Sequence, residues 1–95
     1  MGKPTYYFEW KWGTQVTYCV SKLQTICKND ALFYVFENHK GEITYQQKGV
    51  VDMCLETGYW SIDDPRFVNT LKCLTLQQYK EGILQQQMEV HLHGS

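Results

Sequence analysis

The chain of 95 residues is long enough for one compact domain and too short for a second core of useful size. Apolar residues make up 43% of it and aromatic residues 15%, which excludes the composition of a disordered segment. A formal charge of -1, with Arg66 as the single arginine, argues against a surface built mainly to hold polyphosphate. We therefore expect one folded domain over residues 1–95.

Two β-hairpins are predicted in the first half of the chain. Residues 5–12 alternate strictly and place four aromatic rings on one face of a strand: Tyr6, Phe8, Trp10 and Trp12. A reversal at Gly13 and a second alternating segment over 14–21 complete the first hairpin. Residues 31–36 are apolar on both faces, which is typical of a central strand, and turn residues over 38–41 lead to a partner strand over 42–48.

Helices are predicted to follow the hairpins. The segment that ends at Gly58 fits a helix with a glycine C-cap, although its apolar residues also fit a strand. Thr75 and Gln78 have the spacing of a capping box at the start of a later helix. That helix contains Gly82, which weakens it by about 1 kcal/mol relative to alanine.

A further helix start is predicted at Asp64, which can cap a helix that has Pro65 at its first position. Phe67, Leu71 and Leu74 would then share one face of this helix. The end of the chain returns to a period of two and predicts a final strand over 88–93. The expected fold is α+β. A mainly antiparallel sheet of four to five strands, from two N-terminal hairpins and a C-terminal strand, carries two or three short helices on one face.

The four cysteines are predicted to be reduced thiols in the cytoplasm or nucleus, because they form no CxxC pair and no leading signal peptide precedes them. Their even count leaves a secreted domain as the alternative. The longest apolar stretch is too short to cross a bilayer, so we expect no membrane span.

Two enzymatic possibilities lack a defining motif. Glu89, His91 and His93 would share one face of the last strand, where a His-x-His pair can bind a metal ion, but a third ligand is not indicated beyond Glu89 or His39. Solvated side chains are the simpler interpretation of these three, and neither a metal nor another cofactor is predicted. Nucleophilic catalysis would pair a histidine with one of five residues, and no spacing selects any of them: Cys19, Cys27, Cys54, Cys73 and Ser61. We therefore expect no enzymatic activity.

The aromatic row on the first strand is the most unusual feature of the sequence. Burial in the core is the simple interpretation, with Trp12 protruding near the turn. An exposed part would suit protein binding, because tyrosine and tryptophan concentrate at interface hot spots. The sequence therefore predicts a protein-interaction module that binds a partner, or a second copy of itself, with Tyr7, Trp10 and Trp12 as anchors. The alternative is a module that stacks bases of single-stranded nucleic acid on exposed rings.

Overall fold

The computed structural model of the chain describes the backbone of residues 4–94 and the side chains of residues 4–88. Within this range the chain forms seven strands and two helices. The strands are β1 (Tyr6–Trp12), β2 (Gln15–Ser21), β3 (Thr25–Lys28), β4 (Ala31–Asn38), β5 (Ile43–Gln47), β6 (Tyr59–Ser61) and β7 (Asn69–Leu74). The helices are α1 (Lys48–Thr57) and α2 (Leu76–Gly94). Every strand pairing in this range is antiparallel, so the predicted α+β class with an antiparallel sheet is confirmed.

The strands form one sheet in which β1 lies between β2 and β7, and β7 is followed by the short edge strand β6. On the other side of β2 lies β4, which is paired along both of its edges. Tyr34 and Glu37 each pair with β5 on one edge, whereas on the opposite edge Tyr34 pairs with β3 and Glu37 pairs with β2. β5 therefore forms one margin of the sheet.

Both predicted hairpins are present. Gly13 turns β1 into β2 with a φ of 61°, which a glycine adopts without steric cost. Between β4 and β5 the Asn38 Oδ1 atom accepts the backbone N–H groups of Lys40 and Glu42, each at 2.9 Å. Gly41 follows with a φ of 86°. Local turn chemistry thus sets both reversals.

The prediction of four to five strands is wrong, because β3, β6 and β7 were not anticipated. β3 has only four residues and is joined to β4 by Asn29 and Asp30, both with positive φ. β7 lies where a helix was predicted from Asp64. That residue does accept the N–H of Arg66 at 2.9 Å, but it closes only a turn. Pairing with β1 then places Leu71 opposite Trp10 and buries it, so tertiary packing overrides the helical pattern.

The predicted C-terminal strand is also wrong, because α2 continues through residues 88–94. Its start is the predicted capping box: the Thr75 N–H donates to Gln78 Oε1 at 2.9 Å, and the Gln78 N–H donates to Thr75 Oγ1 at 3.1 Å. The residues after Gly82 include glutamine, methionine and glutamate, which are good helix formers, and none of them is a proline. The alternation of Met88, Val90 and Leu92 is too short to end a helix that the preceding residues favour.

The two helices pack on opposite faces of the sheet, which corrects the expectation that all helices share one face. α1 contributes Val51 and Cys54 to the core around Phe8 and Phe36, whose rings lie 4.9 Å apart. α2 instead places Tyr79 with its ring 5.1 Å from that of Tyr7. Because Tyr7 and Phe8 are consecutive in β1, their side chains point to opposite faces. The sheet is therefore covered on both sides at Tyr7 and Phe8.

The N-terminal half of α1 is attached to β4 by a small polar cluster. The Tyr34 hydroxyl donates to Asp52 Oδ1 at 2.8 Å, and Lys48 Nζ donates to Asp52 Oδ2 at 2.7 Å. The hydrogen bonds from Lys48 and Tyr34 lower the pKa of the Asp52 carboxyl. At the other end Gly58, with a φ of 87°, donates its N–H to the Cys54 carbonyl at 2.6 Å, as predicted for a glycine C-cap.

No helix in the described part of the chain combines the length and the apolar character that a bilayer crossing requires.

Candidate interaction site

A cluster of aromatic rings lies where β1 ends beside the loop that precedes β7. The Trp12 ring packs between two others, with centroids 5.6 Å from Trp10 and 4.7 Å from Phe67, both nearly edge-on. Trp12 is nevertheless 48% exposed and Phe67 is 37% exposed. Ile62, also exposed, lies on the same face, because its N–H donates to Asn69, the residue opposite Trp12. We call Trp12, Phe67 and Ile62 the aromatic patch.

Hydrogen bonds hold the surroundings of the patch in place. The Trp10 indole Nε1 donates to Asn69 Oδ1 at 2.9 Å, which fixes the ring against which Trp12 packs. The Gly13 N–H donates to the Val68 carbonyl at 2.8 Å and extends the pairing of β1 with β7 beyond the strand ends. The exposed Trp12 ring is therefore supported by β1, by β7 and by the loop before β7.

The structure brings together two of the three predicted anchors. Trp10 and Trp12 are in contact on one face, as the alternation in β1 predicts. Tyr7 lies on the opposite face under Tyr79 of α2, so it cannot join the same contact surface. Trp10 is only partly exposed and packs against the core. Of the predicted anchors, Trp12 alone presents a largely open ring.

Phe67 and Ile62 were missed as members of the site. The helix predicted from Asp64 placed Phe67 on one face together with Leu71 and Leu74, whereas the residue lies in a loop against Trp12. The alternation that begins at Asn69 is a local signal that could have indicated β7. Nothing in the sequence indicates that the ring of Phe67 reaches Trp12.

The charges beside the aromatic patch are mainly acidic. The loop between β6 and β7 carries Asp63, Asp64 and Arg66, which sum to -1. Arg66 is engaged with its neighbour, because its Nε lies 3.3 Å from Asp64 Oδ1. This loop does not supply the cationic groove that a phosphate backbone needs, and its charge does not oppose an uncharged apolar ligand.

The candidate nucleophiles do not assemble with a histidine in the described part of the chain. Cys54 Sγ lies 3.3 Å from the Leu71 carbonyl oxygen and 3.5 Å from Cys73 Sγ, and Ser61 Oγ donates to the carbonyl of Ile62. Burial raises the pKa of Cys19 to about 12, and burial together with the Cys73 thiol raises the pKa of Cys54 to about 12. These environments favour neutral thiols.

We expect Cys27 to react first with a thiol reagent in the folded protein. It is exposed, whereas Cys19 and Cys54 are buried. A thiol with a pKa of about 12 is ionised to only about one part in ten thousand at pH 8, and the thiolate is the reactive form. Timed alkylation at pH 8 followed by peptide mass spectrometry measures the order in which the cysteines react. Faster labelling of Cys19 or Cys54 than of Cys27 would restore the thiol-enzyme hypothesis.

A metal site lacks support among the described side chains, where no three His, Cys, Asp or Glu residues cluster. The side chains of Glu89, His91 and His93 lie outside the described residues. Their backbone is helical, and positions two apart on a helix do not face each other. The shared strand face on which the metal hypothesis depended is therefore absent.

An open groove of about 1010 Å³ lies between β2, the β4–β5 turn and α2. Gln86 and Gln87 line it together with His39. Gln86 also has a structural role, because its Nε2 donates to the Val16 carbonyl at 2.7 Å and ties α2 to β2. The residues that line the groove are mainly polar or charged, whereas the aromatic patch presents two rings and an isoleucine side chain.

The chain was compared with protein-family models, with curated proteins and with solved structures, and none of them matched significantly.

Proposed function

We propose that the protein is a non-enzymatic interaction module that binds an apolar segment of a protein partner through the aromatic patch. The observation that carries the proposal is the Trp12 ring, which is held edge-on between two other rings while half of its surface stays open. A ring already fixed in place loses little conformational freedom on binding. Exposed tryptophans of this kind dominate the energy of many protein interfaces.

The absence of a thiol–histidine pair among the described side chains supports a binding role over a catalytic one. The four free cysteines support an intracellular setting, because such thiols persist in reducing compartments. Cysteine pairing in the protein isolated from its source would instead favour the secreted alternative.

Stacking of single-stranded nucleic acid is the second candidate, and the open Trp12 ring is the observation that favours it. The acidic loop beside the patch opposes it, because stacking platforms need a cationic groove for the backbone. Binding to bases would weaken steeply as the salt concentration rises, whereas apolar contact with a protein would not.

We expect Trp12→Ala and Phe67→Ala each to weaken partner binding by about tenfold or more, as truncation of a buried interface anchor does. Partners are captured from a lysate of the source cells, with and without nuclease treatment, by the wild-type protein and by each variant. The proteins lost with both variants are then titrated by calorimetry.

Leu84→Ala is the matched control, because it removes a side chain that is exposed on α2, away from the patch. Binding that is unchanged by both aromatic variants, or equally reduced by Leu84→Ala, would contradict the proposal. A captured species that disappears after nuclease treatment would support the nucleic-acid alternative.

A further inference from the structure

The strand β5 is the long free margin of the sheet. In the described chain it pairs only with β4, while the opposite margin, β6, has just three residues. Edge strands are usually protected by charges, proline or a bulge. β5 has the sequence Ile-Thr-Tyr-Gln-Gln and contains neither a charge nor a proline. Its outer edge is therefore open to pairing with another strand.

The register of β5 determines which of its backbone groups face outward. The Asn38 N–H donates to the Glu42 carbonyl at 2.9 Å, so Glu42 directs its backbone groups toward β4. Backbone direction alternates along a strand, and Thr44 and Gln46 therefore face β4 as well. The N–H and C=O groups of the other three residues point away from the sheet: Ile43, Tyr45 and Gln47.

The side chains of this edge are also open. Ile43 is 52% exposed and Tyr45 is 45% exposed. Both lie on the face that carries Phe33 and Val35, because Tyr45 is opposite Val35 in the register. The contacts of α2 are with β1, β2 and β7, so α2 does not cover this part of the face, where Lys28 Nζ of β3 lies 5.0 Å from the centre of the Tyr45 ring.

We propose that β5 pairs antiparallel with β5 of a second copy of the chain, about a two-fold axis at Tyr45. In this register Tyr45 is opposite Tyr45, and Ile43 is opposite Gln47 of the second copy. These are the residues whose backbone groups face outward, and they form six hydrogen bonds across the interface. The two rings of Tyr45 become cross-strand neighbours, and two sheets become one.

The charges that flank β5 select the same register. With the axis at Tyr45, Glu42 of each copy lies opposite Lys48 of the other. A slip of two residues separates these charges in either direction. In one direction Lys48 lies opposite Lys40, a like charge, and in the other it lies opposite Thr44. Lys48 Nζ already contacts Asp52 at 2.7 Å, and its three donors allow a second acceptor. A surface ion pair adds little affinity, but opposite charges across strands fix alignment.

Self-association through β5 is independent of the aromatic patch. The patch lies at β1 and the loop before β7, and two strands, β2 and β4, separate β1 from β5 in the sheet. Failure of either proposal therefore leaves the other intact, and the two are tested by different variants.

The oligomeric state tests the proposal directly. Sedimentation equilibrium over a concentration series should give twice the chain mass for the wild-type protein. Tyr45→Pro removes an outward N–H, and proline is tolerated at an edge strand whose N–H faces solvent. We expect it to weaken dimerisation by about tenfold or more, from the loss of two hydrogen bonds at the axis.

Tyr45→Val is the matched control, because it also removes the ring but keeps the N–H, and it should dimerise more strongly than Tyr45→Pro. Circular dichroism checks that both variants remain folded. A wild-type protein that stays monomeric up to its solubility limit overturns the proposal, as does a dimer unaffected by Tyr45→Pro.

Cross-linking tests the register. In a Cys27→Ser background, Tyr45→Cys should form a disulfide-linked dimer on mild oxidation. Residues directly opposite have Cα atoms about 5.5 Å apart, within the range that a disulfide spans. Ile43→Cys should not cross-link, because the two copies of that residue are offset by four positions, or roughly 13 Å. Cross-linking at Ile43 and not at Tyr45 would place the contact elsewhere and overturn the proposal.

Discussion

Phe8→Ala is expected to lower the free energy of unfolding by about 3–5 kcal/mol, the usual cost of emptying a buried aromatic site. Phe8 is fully buried at the middle of β1, where it pairs with Cys19 of β2 and Cys73 of β7. Its ring packs on Phe36 of β4, so the cavity would touch the strands on both sides of β1 and beyond. The free energy of unfolding of a native domain is roughly 5–15 kcal/mol, so this loss would leave the fold only marginally stable. Urea unfolding followed by tryptophan fluorescence measures it.

Phe67→Ala is the matched control for Phe8→Ala, since it removes the same side chain from the aromatic patch. Phe67 is partly exposed and packs mainly on Trp12, so we expect a loss of about 1 kcal/mol or less. A similar loss for the two variants would show that the core does not centre on Phe8.

Gly82→Ala is expected to destabilise the protein by about 1–2 kcal/mol, although alanine is the better helix former by about 1 kcal/mol. A Cβ atom at position 82 would overlap the Cε1 and Cζ atoms of the Tyr18 ring. That ring cannot easily move, because it is buried, its hydroxyl contacts Glu9 Oε2 at 3.2 Å, and it lies nearly perpendicular to the Tyr79 ring. The helix must therefore shift away from β2. The midpoint of urea unfolding, compared with wild type, measures the change.

Gly49→Ala in α1 is expected to have the opposite effect and to stabilise the protein. A Cβ atom there meets open space, so alanine should stabilise α1 by about 0.5–1 kcal/mol. In a Tyr18→Val background the cost of Gly82→Ala should largely disappear, because the overlapping ring is gone. If Gly82→Ala stabilises the protein as Gly49→Ala does, α2 does not pack on Tyr18 as described.

Part of the candidate site could be predicted from the sequence. The alternation of β1 is enough to place Trp10 and Trp12 on one face and Trp12 near its open end. It also places Tyr7 on the other face, where the unforeseen path of α2 covers it. Phe67 could not be assigned, because a ring in a loop is brought to Trp12 by the pairing of β7 with β1, and that pairing spans more than fifty residues.

Features that depend on neighbouring residues were determined by the sequence itself. The two hairpins, the glycine C-cap of α1 and the capping box of α2 each follow from hydrogen bonds over a few positions. Other features were decided by the tertiary structure. β7 is a strand because it pairs with the free edge of β1 and buries Leu71 there. Position 82 of α2 is a glycine because the Tyr18 ring occupies the space that a Cβ atom would fill. These outcomes depend on contacts between distant segments, whose free energy exceeds the local preferences that a short pattern records.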